Sequence, residues 1–181
     1  MTTIQTQSGK IIDLLHPDPY LLNINDIAHA LSHLCRFGGH TREFYSVANH
    51  SLLVALNVPE EDAMAGLMHD ATEAYCQDLV GPLKALLPDY RDIEAGLWEA
   101  IAWKYRLPEE LPASVKQADK IVLVTEQRDL MVTFACETCA KNCLGDALPL
   151  SYHIQPLSQV ASRSAFLKHF HYLKEKRNAK K

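Results

Sequence analysis

A chain of 181 residues, 48% hydrophobic and 22% charged, has ordinary globular composition and enough length to enclose a sizeable core. A formal net charge of −4 and a pI near 6.1 argue against a protein coated for nucleic acid, and no apolar run approaches the length a bilayer requires. Met1-Thr2-Thr3-Ile4-Gln5-Thr6-Gln7 has neither a basic nor an apolar leader segment, and five cysteines, three of them clustered, make no disulfide framework. A reducing cytoplasm is the expected compartment.

In chain order, residues 8–24 predict a small hairpin, with Ser8-Gly9-Lys10, Ile11-Ile12-Asp13-Leu14 and a proline-bounded turn at His16-Pro17-Asp18-Pro19. Asn25 or Asp26 is expected to cap a first helix with Ile27, Ala30, Leu31 and Leu34 on its apolar face, ending at Gly38-Gly39. A second helix is predicted over about residues 42–57. A third starts at Pro59 with Glu60, Glu61 and Asp62 in its first turn. Gly81-Pro82 breaks the chain, and a helix with Ile93, Leu97, Ala100 and Ile101 follows. A long helix is read from Ala113 to Asn142, and a last one from Ser158 to Leu173. The terminal run from Lys174 to Lys181 reads as a frayed, solvated basic tail. With no repeat, low-complexity segment or dividing linker, the expectation is one all-α domain over 1–181, carrying a small N-terminal hairpin.

Chemistry concentrates in Gly66-Leu67-Met68-His69-Asp70-Ala71-Thr72-Glu73. A histidine beside an aspartate can place an imidazole and a carboxylate on one ion. Glu73, four residues after His69, is expected on the same helical face, where it could move a proton to or from the attacking water. Upstream, His50 lies in Asn49-His50-Ser51; downstream, Asp119 interrupts the apolar stripe of Val115, Ala118 and Val122. Two imidazoles and two carboxylates, His50, His69, Asp70 and Asp119, suit a divalent transition ion. Taken alone, Asp119 would read as an acid paired with Lys116 or Lys120.

These motifs, with Arg36-Phe37, Gln77-Asp78-Leu79, Pro82-Leu83-Lys84 and Lys116-Gln117-Ala118-Asp119, resemble the HD-domain metal-dependent phosphohydrolases, in the small branch that contains bacterial 5'-deoxynucleotidases. The resemblance runs from Gly9 to about Asp129. It implies a helical HD-domain bundle with a single cobalt, manganese or zinc ion on His50, His69, Asp70 and Asp119. It also implies a catalytic Glu73, an Asp78 near the scissile ester and an Arg36 on phosphate. Where the family often has a tryptophan against the nucleotide, this chain has Phe37. A phage-associated branch releases triphosphate from deoxyadenosine triphosphate, and the quoted motifs are common to both activities.

The residue types fit this chemistry on their own terms. Ester hydrolysis needs an activated water, positive charge on the phosphoryl oxygens and a proton for the leaving oxygen. Arg36 offers planar donors matched to phosphate. Asp78 could hydrogen-bond the sugar or protonate the departing oxygen, against a bland role capping the short helix near Pro82. Lys84 and Lys116 offer charge to phosphate, although surface lysines are more often solvated.

Other groups carry less. His29 and His33 have metal-compatible spacing but no evident carboxylate partner, and His40 reads equally as pocket lining or loop support. Cys136, Cys139 and Cys143, with His153 as a fourth ligand, could hold zinc, yet their spacing also describes a buried helix stripe, the preferred reading. Trp98 and Trp103 suggest core or interface, and His169 and His171 lack an acid constellation.

The expected enzyme therefore cleaves the 5' phosphate ester of deoxyribonucleotides. The alternatives are a deoxynucleoside triphosphate triphosphohydrolase and a metal-containing nucleotide sensor or scaffold. Expected partners are a small deoxynucleotide and a second copy of the chain, giving at least a dimer, with no polymeric nucleic acid and no membrane.

Overall fold

The computed structural model describes residues 2–132 and 147–179, and within them the chain is mostly helical with one two-stranded sheet. β1 (Thr3–Gln5) pairs antiparallel with β2 (Ile11–Asp13), Ile4 opposite Ile12. The hairpin thus begins earlier than the sequence reading placed it, because Gly9 turns the chain at φ +81° and closes the loop with Thr6. His16-Pro17-Asp18-Pro19 lies beyond the strands. Ser8 donates through both its N–H and its hydroxyl to the buried Asp26 carboxylate, at 2.9 and 2.6 Å, which ties the turn to the first helix.

That helix, α1 (Ile24–His33), is capped by Asn23, not by Asn25 or Asp26: the Asn23 side chain accepts from the Asn25 N–H. It stops before the double glycine. Arg36–Gly39 forms a separate 3-10 turn in which Phe37, Gly38 and Gly39 all have positive φ. An antiparallel bridge between Cys35 and Ser46 closes this excursion. α2 (Val47–Leu56) consequently starts five residues later than predicted, where the Ser46 hydroxyl accepts from the Asn49 N–H. Apolar residues round its circumference bury α2 on nearly every side.

Pro59 initiates a 3-10 turn (Glu60–Asp62), followed by α3 (Ala63–Met68), all six residues of which are buried. The helix does not run on to Glu73. Ala71 and Glu73 donate to Met68 and Asp70, three residues back, before α4 (Glu73–Cys76) begins. Gly81-Pro82 starts the short α5 (Gly81–Lys84), and no side chain caps it. α6 (Pro88–Tyr105) ends at a left-handed Arg106. α7 (Ala113–Leu130) stops at extended Met131, well short of Asn142. Residues 133–146, including Cys136, Cys139 and Cys143, lie outside the described residues.

α8 (Gln159–Ala179) continues past Leu173 into the expected tail. Arg177 donates to the carbonyls of Tyr105 and Arg106 at the end of α6, and Lys176 lies 3.1 Å from Glu60. The basic terminus up to Ala179 is therefore docked helix rather than frayed chain. Among the described residues, no helix is long and apolar enough to cross a membrane.

The main core gathers Ile27 and Leu31, Leu52, Leu67 and Met68, Leu97 and Ile101, and Phe166 and Phe170. A second cluster sets Val54 and Ala65 against Val115, Ala118 and Val122 of α7. α2 thus packs into both clusters. Gly66 permits its close approach to α3, since an added Cβ would stand 3.2 Å from the Ala55 Cα and 3.3 Å from Val58. Gly66→Ala gains about 1 kcal/mol of helix propensity, but overpacking against backbone costs about 1–3 kcal/mol. The expected outcome is a lower denaturant midpoint; an unchanged or higher one would contradict this packing.

Candidate metal centre

The sequence spreads the ligand candidates over three helices, and packing brings them together. His50 is fully buried on α2, His69 caps the C-terminus of α3 with Asp70 next to it, and Asp119 projects half-exposed from α7. His50 Nε2 is 3.2 Å from His69 Nε2, 3.2 Å from Asp119 Oδ1 and 3.5 Å from Asp70 Oδ2; His69 Nε2 is 3.1 Å from Asp70 Oδ2. Adjacent donors bound at about 2.0–2.2 Å to one ion stand about 2.8–3.6 Å apart in tetrahedral or octahedral geometry, so the set fits a divalent cation. The donor atoms of His50, His69 and Asp119 all lie within 4.8 Å of one another.

Each imidazole has its other nitrogen engaged. His69 Nδ1 is 2.8 Å from the Gly66 carbonyl, an acceptor only, so this nitrogen carries a proton and Nε2 is the nitrogen that faces the cluster. His50 Nδ1 is 2.7 Å from Glu126 Oε1, and Glu126 is wholly buried. Glu126 is the site residue that the sequence reading missed. Its signal was spacing: seven residues after Asp119 is two turns along the same face of α7.

Negative charge dominates the surroundings. Burial and the Arg36 charge press the His50 pKa down, but Glu126 and the hydrogen bond with Asp119 outweigh them and lift it to about 9. Burial raises Asp70 and Asp119, yet the neighbouring imidazoles bring both below the usual carboxylate range. Glu73 moves the other way: burial, then Asp70 and Asp78, push it well above that range. Burial likewise raises Asp78, against the pull of Arg36. A divalent cation would offset this surplus of carboxylates.

The break after His69 decides where Glu73 sits. The Glu73 N–H donates to the Asp70 carbonyl, and the Asp70 charge acts on the Glu73 carboxyl. Left-handed Gln77 then turns the chain, its carbonyl held by the Tyr90 hydroxyl at 2.7 Å, and Asp78 returns to within 3.8 Å of Arg36. Asp78 does not cap α5.

Arg36 is almost wholly buried among carboxylates, 3.3 Å from Glu126, 3.8 Å from Asp78 and 4.0 Å from Asp70. Burial opposes its charge, but these acids raise its pKa above the ordinary arginine value. Phe37 packs under the same guanidinium, 5.6 Å from ring centroid to Cζ. Neither lines the cavity of about 410 Å³ that opens on the cluster, and His50, Glu73 and Asp78 are likewise not among its lining residues. That cavity has His69, Asp70 and Asp119 in its wall and Lys84, Arg91, Lys116 and Trp98 around them. Lys84 is paired with Glu94 at 2.5 Å, and the Trp98 indole N–H donates to the Glu109 carbonyl at 2.7 Å.

The remaining histidines stand apart. His29 and His33 stack with ring centroids 4.2 Å apart, and His33 Nδ1 meets the His29 carbonyl. His40 is exposed on the loop after the 3-10 turn. His153 pairs with Asp129, which also accepts from Arg128 and the Ile154 N–H, pinning the segment before α8 to the end of α7.

No protein-family model matches the chain. It is 52% identical over 132 residues to the uncharacterized protein YfdR of Escherichia coli (strain K12), an alignment covering 72% of this chain and 73% of that one. It is 38% identical over 123 residues to the uncharacterized protein RCAP_rcc00048 of Rhodobacter capsulatus, covering 62% and 63% of the respective chains. With identity this high over more than two thirds of its length, the chain belongs to the YfdR family.

Proposed function

We propose that this chain is a divalent-metal-dependent phosphohydrolase of the HD-domain type, cleaving the 5' phosphate ester of a deoxyribonucleotide. The observation that carries the reading is the convergence of His50 and His69 Nε2 with Asp70 and Asp119, the last three residues being in the wall of a cavity that also bears Lys84, Arg91 and Lys116. An ion held there supplies a Lewis acid for the phosphoryl oxygens and lowers the pKa of the attacking water. Cobalt, manganese and zinc all suit this mixed nitrogen and oxygen donor set.

The chain's own groups complete the reaction. Glu73, made more basic by burial and by Asp70 and Asp78, takes the proton of the water as its oxygen bonds to phosphorus. The bond from phosphorus to the 5' oxygen breaks, and Asp78, whose pKa is also raised, delivers a proton to that oxygen. The rim cations Lys84, Arg91 and Lys116 meet the phosphate charge, and Trp98 offers the base or sugar an apolar wall. A volume of about 410 Å³ falls in the range of small-molecule pockets. The exposed Trp103 and Tyr20, in edge contact at 5.4 Å, leave apolar surface that a second copy of the chain would cover, in keeping with an oligomer of at least two chains.

The test is product identification after incubation with each deoxynucleoside mono- and triphosphate plus cobalt, manganese or zinc. Deoxynucleoside and inorganic phosphate are expected from monophosphates, abolished by chelator and restored by metal. Triphosphate released from deoxyadenosine triphosphate would move the activity to the other branch. A metal-loaded protein that cleaves none of them would sink the enzymatic reading in favour of a sensor.

A further inference from the structure

Glu126 costs the fold a buried charge, and both of its oxygens are answered. Oε1 lies 2.7 Å from His50 Nδ1 and Oε2 lies 3.3 Å from the Arg36 guanidinium, with the carboxylate fully shielded from solvent. An ionised carboxylate has no proton to give, so His50 must donate through Nδ1. That leaves Nε2 as the nitrogen facing His69, Asp70 and Asp119. Arg36 fixes Glu126 in turn, and its other terminal nitrogen lies toward Asp70 and Asp78. A chain of charged contacts thus runs from Asp70 and Asp78 through Arg36 and Glu126 to His50.

We infer that Glu126 is a positioning residue that presents His50 Nε2 to a divalent cation, anchored for this purpose by Arg36. The inference deepens the metal reading above and rests on it. A carboxylate serving only to neutralise Arg36 would have no need of His50; here its shorter contact is to the imidazole, and the longer one to the guanidinium. Removing an outer partner of a ligating histidine typically lowers metal affinity by about 10–100-fold. Glu126→Gln keeps the volume but offers Arg36 and His50 a neutral amide, whereas Glu126→Asp keeps the charge on a shorter stem.

The experiment is chelator competition for zinc and for manganese on the wild type, Glu126→Gln, Glu126→Asp and His50→Ala, well below each melting temperature. Nitrogen NMR of the metal-free proteins, taken above the pKa of about 9 to which His50 is lifted, reads the tautomer of its neutral form in parallel. Expected are tight binding by the wild type, a loss of about 10–100-fold in Glu126→Gln, partial recovery in Glu126→Asp and a larger loss in His50→Ala. The Nδ1-protonated form of His50 should lose its dominance in Glu126→Gln. Wild-type affinity in a folded Glu126→Gln overturns the positioning role and leaves the metal reading standing. No binding by the wild type overturns both. Should Glu126→Gln fail to fold, Glu126→Asp decides: affinity between those of wild type and His50→Ala, with a changed His50 tautomer balance, supports the role, and wild-type affinity with the tautomer unchanged overturns it.

Discussion

Asp119→Ala is expected to lose the ion and the hydrolytic activity together. Losing a direct ligand should weaken metal binding by more than the roughly 10–100-fold typical of an outer partner. Among the four ligand candidates, Asp119 gives the cleanest test. Its side chain is 43% exposed, so alanine disturbs little packing. His50→Ala would strip the fully buried Glu126 of its 2.7 Å contact with the imidazole, and breaking a buried charged pair costs about 3–5 kcal/mol. Loss of activity there would mix unfolding with ligand loss. Metal content after dialysis, measured beside thermal melting, separates the two. Full occupancy in Asp119→Ala would remove this residue from the ligand set.

Glu73→Gln is expected to reverse that pattern, keeping the metal while losing turnover. Missing general acid–base catalysis costs about 10²–10⁴-fold. Its Oε2 is buried with no hydrogen-bond partner in the structure, and Asp70 and Asp78 both oppose its charge. A neutral amide of the same size relieves that repulsion, so melting temperature should hold or rise while kcat falls. Turnover at the wild-type rate in a metal-loaded Glu73→Gln would rule out its role in proton transfer.

The signals that were legible in the sequence were those of long periodicity. Ile93, Leu97, Ala100 and Ile101 mark α6, and the acid set into the apolar stripe at Asp119 already stood out. What escaped was set by single hydrogen bonds and by charges distant in the chain. Ser46 moves the start of α2 because its hydroxyl satisfies a free N–H, while residues 42–46 look equally helical by pattern. The break at His69–Thr72 has helix-compatible dihedrals at both ends, so composition does not announce it. Arg36 reads as a phosphate ligand in the sequence, whereas its contacts with three carboxylates from distant segments are not legible there. Glu126 was hidden for the same reason, its partners lying 76 and 90 residues away.

One helix carries both Asp119 and Glu126, and this has a consequence for how the site could be switched. A slip of α7 by a single residue would turn it by about 100° and carry both carboxylates out of register at once. Asp119 would leave the cluster in the same movement that released His50 from its orienting contact. Any ligand or partner that shifted α7 would act as an on–off control, because the first-contact acid and the support behind the imidazole share one rigid rod.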